Sequence, residues 1–323
     1  MNRVALYGAG RMGRGLAHVF AWAGWQVTLI DGKDRPAAEA EALLGDAATS
    51  VRETLSLMLE LGGHDAALLE AMAGRIRTCA RSGMAEPLAV ADLVMEGAPE
   101  TAGAKADALA EIARAAPDAI VASTTSTMLS SELAGHVRRP ERFLNAHWLN
   151  PAYLIPLVEV SPHDGTDEAV TATVMGWLEE MGKQPVRCAP SPGFIVPRIQ
   201  ALAMNEAARM VEEGVASAED IDRAIRTGFG VRFAVLGLLE FIDWGGGDIL
   251  YHASRYMAGA TGEDRFRAPE IVDRMMAEGR IGMDAGEGFY DFRNRDVGAY
   301  RRERLEAFHG LLRHRGLIAP PKA

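Results

Sequence analysis

At 323 residues the chain is long enough to bury a sizeable core and to form about two domains. Its 48% apolar and 24% charged residues are ordinary for a globular protein, and a net charge of −10 argues against the basic footprint that nucleic-acid binding requires. No apolar run reaches the roughly 18 residues of a membrane span, and Gly8 interrupts the first one, so neither a transmembrane segment nor a signal peptide is expected. The two cysteines, Cys79 and Cys188, lack metal-ligand spacing and suit a reducing, cytoplasmic setting with no bound metal.

In chain order, residues 4–7 read as a first strand, 12–22 as a helix and 26–30 as a second strand. Residues 36–72 carry acids between alanines and leucines and read as an inserted helical pair. Further strands are expected at 93–96, 119–122, 143–146, 157–160 and 185–188. Strands alternating with helices predict an α/β fold with a doubly wound, mostly parallel sheet. The run Ala189-Pro190-Ser191-Pro192-Gly193 ends the last strand, which divides the chain into a Rossmann-type domain at 1–189 and an all-helical domain at 190–323. In the helical part, Gly214 suits a helix end and Ser217 the cap of the next helix.

Gly8-Ala9-Gly10-Arg11-Met12-Gly13 lies between the first strand and the first helix. Gly8 permits the tight turn, Gly10 lets backbone approach a pyrophosphate, and Gly13 allows close helix–strand packing. The helix N-terminus, at Arg11 and Met12, supplies unpaired N–H groups for phosphates. Asp31 follows the second strand, 23 residues after Gly8, where a carboxylate accepts from the adenosine ribose hydroxyls and repels an extra phosphate. NAD is the expected cofactor.

The stretch Asn145-Ala146-His147-Trp148-Leu149-Asn150-Pro151, followed by Val158-Glu159-Val160, holds a base and an acid. Ser123-Thr124-Thr125-Ser126-Thr127 stands at the carboxyl end of a predicted strand, where open α/β sheets bind ligands. Oxidising an alcohol needs a base for the hydroxyl proton, and histidine titrates near neutrality. A carboxylate such as Glu159 holds the tautomer and stabilises the imidazolium. Taken singly, His147 also reads as a half-buried, hydrogen-bonded histidine and Glu159 as a strand-end acid.

Together these residues resemble the L-3-hydroxyacyl-CoA dehydrogenases, with their Ser-x-Thr-Ser, His-x-x-Asn-Pro and Leu-Val-Glu segments. Ser126 lies 21 residues before His147 and Glu159 lies 12 after, as in the family. The resemblance implies that His147 is the base and Glu159 its partner. It also implies that Asn150 and Ser126 contact substrate oxygen and nicotinamide, and that Glu100 and Lys105 lie near the cofactor, although Thr101 replaces a family asparagine. Gly286-Glu287-Gly288-Phe289-Tyr290-Asp291 matches the family's terminal Gly-x-Gly-Phe-Tyr-Asp. A homodimer through the helical domain is also implied, in keeping with the apolar run at 234–241. One departure stands out: Pro197 replaces the asparagine of Gly-Phe-Ile-Val-Asn-Arg, which helps hold the substrate carbonyl, and proline cannot donate.

Two features bear on the substrate. Residues 36–72 contain seven acids against one base, Arg52, a poor surface for a phosphorylated coenzyme A handle. Thr227-Gly228-Phe229-Gly230-Val231-Arg232-Phe233-Ala234 resembles a segment of relatives that act on free acids, such as L-gulonate 3-dehydrogenase (lambda-crystallin) and L-carnitine dehydrogenase. Arg232 is then either a clamp for a substrate carboxylate or a structural ion-pair arginine. The His147-Trp148-Leu149-Asn150-Pro151 variant also resembles a pyridine-carboxylate dehydrogenase of the same superfamily. The expectation is a small free acid of the gulonate, carnitine or pyridine-carboxylate type, against a short 3-hydroxyacyl-CoA thioester or a non-catalytic NAD-binding structural role. Lysine-based hydroxyacid dehydrogenases are excluded, because the head of the helical domain has no lysine. Trp148, Tyr153, Phe233 and Trp244 are possible pocket aromatics that also suit a core.

Overall fold

Short apolar strands alternating with helices build one eight-stranded sheet in the first part of the chain. The computed structural model describes residues 1–321, and the chain divides into two compact units, Met1–Ala203 and Met204–Ala323.

The first unit runs β1 (Arg3–Tyr7), α1 (Arg11–Trp22), β2 (Gln26–Asp31), α2 (Ala37–Leu61), α3 (Leu68–Ala73), β3 (Ile76–Ala80), α4 (Ala85–Ala89), β4 (Leu93–Glu96) and α5 (Ala102–Ala115). It continues with β5 (Ile120–Ser123), α6 (Ser130–Leu133), β6 (Phe143–Trp148), β7 (Leu157–Pro162), α7 (Glu168–Glu180), β8 (Gln184–Arg187) and the first turns of α8 (Val196–Glu212). Across the sheet the order is β3-β2-β1-β4-β5-β6-β7-β8. Strands β1 to β6 are parallel, β7 runs antiparallel to β6, and β8 is parallel to β7. The order reverses between β1 and β4, which opens a crevice beyond the glycine loop.

Both faces of the central strands are covered, so those strands read as nearly continuous apolar runs. Leu6, Leu29, Leu144 and Trp148 belong to one core, and Ala5, Ile30, Val94 and Phe143 to the other. Strand β3 departs from the sequence expectation, which contained no strand there. It is an edge strand paired only with β2, and exposed Arg77 and Thr78 break its apolar pattern. The inserted helical pair appears as α2 and α3. Ala40, Leu44, Ala47, Val51, Leu55 and Leu59 form a buried stripe on α2, at the 3–4 residue spacing that packs one helix face on a core.

The second unit is helical: the rest of α8, α9 (Ala218–Ala224), α10 (Gly230–Phe233), α11 (Leu238–Gly245), α12 (Gly247–Thr261), α13 (Glu270–Ala277) and α14 (Val297–His314). Gly214 takes φ +70°, and Ser217 Oγ accepts from the Asp220 amide at 3.1 Å, as the sequence predicts. Trp244 packs on Met283, Phe292 and Tyr300 and is therefore a core residue here. No helix among the described residues is long and apolar enough to cross a membrane.

The terminal Gly-x-Gly-Phe-Tyr-Asp motif has a packing role. Asp243, 2% exposed on α11, accepts from the amides of Phe289 at 3.0 Å and Tyr290 at 2.8 Å. A Cβ on Gly288 would collide with that carboxylate, so only glycine fits. Asp243→Ala leaves both amides without their partner and is expected to cost about 2 kcal/mol, read as a lower denaturant midpoint.

Candidate active site

The antiparallel pairing of β6 and β7 sets His147 directly opposite Glu159. His147 Nδ1 lies 2.7 Å from Glu159 Oε2, with the two residues 5% and 0% exposed. The other oxygen, Oε1, accepts from the backbone N–H of Ile195 at 2.9 Å and Val196 at 2.8 Å. These amides begin α8, after a turn in which Gly193 and Phe194 adopt φ +76° and +45°. Burial pushes the Glu159 carboxyl up, but the His147 bond and the Val196 and Ile195 amides outweigh it and hold the group below its ordinary value. An ionised carboxylate only accepts, so His147 donates from Nδ1 and Nε2 is the unprotonated nitrogen of the neutral ring. No hydrogen bond among the described residues engages Nε2. The Phe194 ring stacks on the imidazole at 5.0 Å and 11°.

A second carboxylate organises the loop after β5. Glu100 Oε1 accepts from the Thr125 hydroxyl at 2.6 Å, the Ser126 amide at 2.8 Å and hydroxyl at 3.2 Å, and the Thr127 amide and hydroxyl at 3.0 Å. Lys105, 1% exposed, reaches Glu100 Oε2 at 3.3 Å and both Glu96 oxygens at 3.2 Å. Its ammonium is held among carboxylates, so Lys105 acts on the loop through Glu100. Burial raises the Glu100 carboxyl, but the Thr125 hydroxyl, Lys105, the Ser126 amide and the Thr127 hydroxyl together bring it to about 2.

A cavity of about 810 Å³ lies over the glycine loop, bordered by Gly8, Gly10, Asp31, Gly97 and Pro99. A Cβ on Gly13 would collide with the Gly8 carbonyl, and one on Gly8 would stand 2.6 Å from the Gly97 carbonyl oxygen. Gly10 meets nothing, so a side chain there would take up open space at the amino end of α1. That is the space a dinucleotide pyrophosphate needs, and the residues fit NAD. Asp31, 4% exposed at the end of β2, accepts from Arg35 Nε at 2.9 Å and from the Lys33 amide at 3.3 Å. The Met12 side chain packs on the core, so it can offer the loop only its backbone. Arg11 and Asn150 border a second cavity of about 440 Å³ with Ser50, Thr54 and Tyr153, which shares Gly10 and Arg14 with the first.

The sequence matches the family described as 3-hydroxyacyl-CoA dehydrogenase in both its parts, the NAD binding domain over residues 3–191 and the C-terminal domain over 193–292. The chain belongs to the 3-hydroxyacyl-CoA dehydrogenase family. It is an NAD-dependent oxidoreductase acting on CH–OH groups. A 5-formyl-3-hydroxy-2-methylpyridine 4-carboxylate 5-dehydrogenase from Mesorhizobium japonicum is 31% identical, over 94% of this chain and 95% of the relative. A 3-hydroxybutyryl-CoA dehydrogenase from Mycobacterium tuberculosis is also 31% identical, over 90% and 99%. Among solved structures, a 3-hydroxyacyl-CoA dehydrogenase from Archaeoglobus fulgidus superposes with a TM-score of 0.78, at 32% identity, over 98% of this chain and 100% of that one.

Against that family, the Pro197 departure has a local explanation. Pro197 sits in the first turn of α8, where its missing N–H removes no intrahelical bond. Arg232 belongs to the second unit and follows a π-helical turn, Ile225–Phe229. Its guanidinium lies 5.4 Å from the Phe241 ring and makes no ion pair among the described residues. Of the other suggested pocket aromatics, Trp148 is 2% exposed core, Phe233 packs on Phe229 and Phe241, and Tyr153 borders a cavity.

The sequence reading missed Lys183. Its ammonium is buried with no carboxylate partner among the described residues and donates to the carbonyls of Ala152 at 2.6 Å and Ile155 at 3.0 Å, fixing the loop between His147 and Glu159. Burial holds its pKa below the ordinary value.

Glu100 carries a pH signature. Its folded value is depressed, so its contribution to stability is complete above the ordinary 4.5 and fades as pH falls toward about 2. In melting temperatures taken across that window, the parent is expected to lose its advantage over Glu100→Gln.

Proposed function

We propose that the chain oxidises the secondary alcohol of a short, free 3-hydroxy acid to the 3-keto acid, with His147 as general base. The observation that carries this reading is the buried His147–Glu159 pair, whose Nδ1 bond leaves Nε2 available for a proton. Bound NAD supplies the hydride acceptor. As the carbinol C–H electron pair leaves as hydride, His147 Nε2 takes the hydroxyl proton and the carbonyl forms. Glu159 stays ionised and stabilises the imidazolium beside it, which lowers the barrier to charging a buried ring. The Ser126 hydroxyl, held by Glu100, and the Asn150 amide are assigned to substrate oxygen and the nicotinamide side. Gly8, Gly10, Gly13, the amides of Arg11 and Met12, and Asp31 are assigned to the dinucleotide, with Lys105 and Glu100 supporting that side.

The free-acid reading rests on two points. The inserted pair carries seven acids against Arg52, which forms an ion pair with Glu70, so it offers little to a coenzyme A phosphate. Arg232, with no ion-pair partner among the described residues, suits a substrate carboxylate. The Mesorhizobium relative is named for a carboxylate substrate. The second reading is a short 3-hydroxyacyl-CoA thioester, supported by the name of the mycobacterial relative.

Exposed Leu239, Ile249 and Tyr256 in the helical unit suit a homodimer contact, and sedimentation is expected to give twice the mass of one chain. The free cysteines suit a cytoplasmic setting, and the net charge of −10 disfavours nucleic acid as a partner.

NADH formation with L-gulonate, L-carnitine, 3-hydroxybutyrate and 3-hydroxybutyryl-CoA tests the assignment. A higher kcat/KM for one of the free acids is expected, and preference for the thioester selects the second reading. His147→Gln is expected to lower kcat by roughly 10²–10⁴. Turnover within a fewfold of the parent removes the base assignment, and no turnover of any of the four substrates overturns both substrate readings.

A further inference from the structure

Four rings form a ladder between the inserted helices and the loop that follows His147. Tyr153, from that loop, stacks on His18 of α1 at 4.8 Å, and His18 stacks on Trp22, one turn further along, at 5.6 Å and 9°. The edge of Trp22 meets His64, from the link between α2 and α3, at 5.7 Å. His18 also bonds α2, with its Nδ1 3.1 Å from Thr54 Oγ1. The Thr54 hydroxyl proton is given to the Val51 carbonyl at 2.9 Å, so His18 Nδ1–H is the donor in the bond between them. His18 is 3% exposed, and both residues it holds, Thr54 and Tyr153, line the 440 Å³ cavity between Asn150 and the Gly10–Arg11 end of α1.

We propose that His18 is a positioning residue for substrate: as the ladder's rung between Tyr153 and Trp22 and the donor to Thr54, it sets the part of the cavity wall against which the substrate rests. The inference rests on the reading that the cavity beside Asn150 belongs to the substrate. His18 itself touches neither substrate nor cofactor and acts through Thr54 and Tyr153. Burial, with the Lys183 charge adding to it, lowers the imidazole to about 4, so the ring is uncharged at neutral pH and needs no counter-ion in the stack. Each contact removes a different freedom. The Thr54 bond fixes the rotation of the ring, and the Trp22 and Tyr153 faces fix its plane. Because α1 also carries the glycine loop, a purely structural residue at this place would disturb NAD and substrate together, whereas a wall-setting residue disturbs substrate alone.

The experiment compares His18→Ala, His18→Gln and Thr54→Val with the parent, using (S)-3-hydroxybutyrate and (S)-3-hydroxybutyryl-CoA as probes. For the better probe, His18→Ala and Thr54→Val are expected to raise KM roughly tenfold. The NADH Kd and the acid limb of the kcat profile should stay within about twofold. His18→Gln, whose amide can donate to Thr54, should recover part of the loss. An equal loss of NADH affinity, or an unchanged KM in variants whose circular dichroism matches the parent, overturns the proposal. If neither probe turns over, whichever free acid of the wider panel is oxidised takes their place; if none is, the proposed function fails, and the inference is read instead from acetoacetate and acetoacetyl-CoA binding to the NADH complex. Binding unchanged by the substitutions, or no binding to the parent, overturns it there.

Discussion

The first unit depends on one buried carboxylate with three donors. Glu159 sits on β7, takes its imidazole partner from β6, and receives two amides from the start of α8. A fully buried acid with fewer partners would favour its neutral form, and a neutral carboxyl would no longer dictate which nitrogen of His147 carries the proton. Two of the three bonds tie the sheet to the helix that leads into the second unit. The protonation state of the site and the anchoring of that helix therefore share one physical cause. Residues 193 and 194, in their left-handed backbone conformation, are what bring both amides onto a single oxygen.

Around that pair, the site is built by charges that are held in place and kept from solvent. Lys105 is buried, but two carboxylates and a carbonyl satisfy its ammonium, which offsets the desolvation such a group suffers alone. Through Glu100 that cation orders five donors of the loop holding Ser126. Lys183 does the corresponding work on the other side of His147 with backbone carbonyls alone. Two buried lysines out of four in the chain thus hold loops flanking one histidine, although neither resembles a catalytic lysine by position.

Much of the fold was legible because strands buried on both faces must be largely apolar, and the six strands between the edges, β1, β2 and β4 to β7, carry that mark. Strand β3 did not, since an edge strand with one solvent side tolerates Arg77 and Thr78. Gly8, Gly10 and Gly13 were legible because close backbone approach demands them within six residues. His18 was hidden: on an apolar helix face its partners Thr54 and Tyr153 lie 36 and 135 residues away in sequence, and no local pattern announces them. Lys183 was hidden for the same reason, its acceptors being carbonyls that any residue type supplies.

By itself the sequence determined the class of fold, the dinucleotide loop and the acid and base spaced 12 residues apart, because periodicity, glycine placement and residue chemistry are local properties. Only the tertiary structure decided the rest: that β6 and β7 pair in the register that joins His147 to Glu159, that α8 delivers two amides to the same carboxylate, and that Lys105 works from behind Glu100. The reason is that hydrogen bonding and burial are settled between segments far apart in the chain. The charge state of a site follows from those neighbours and cannot be read from its residues alone.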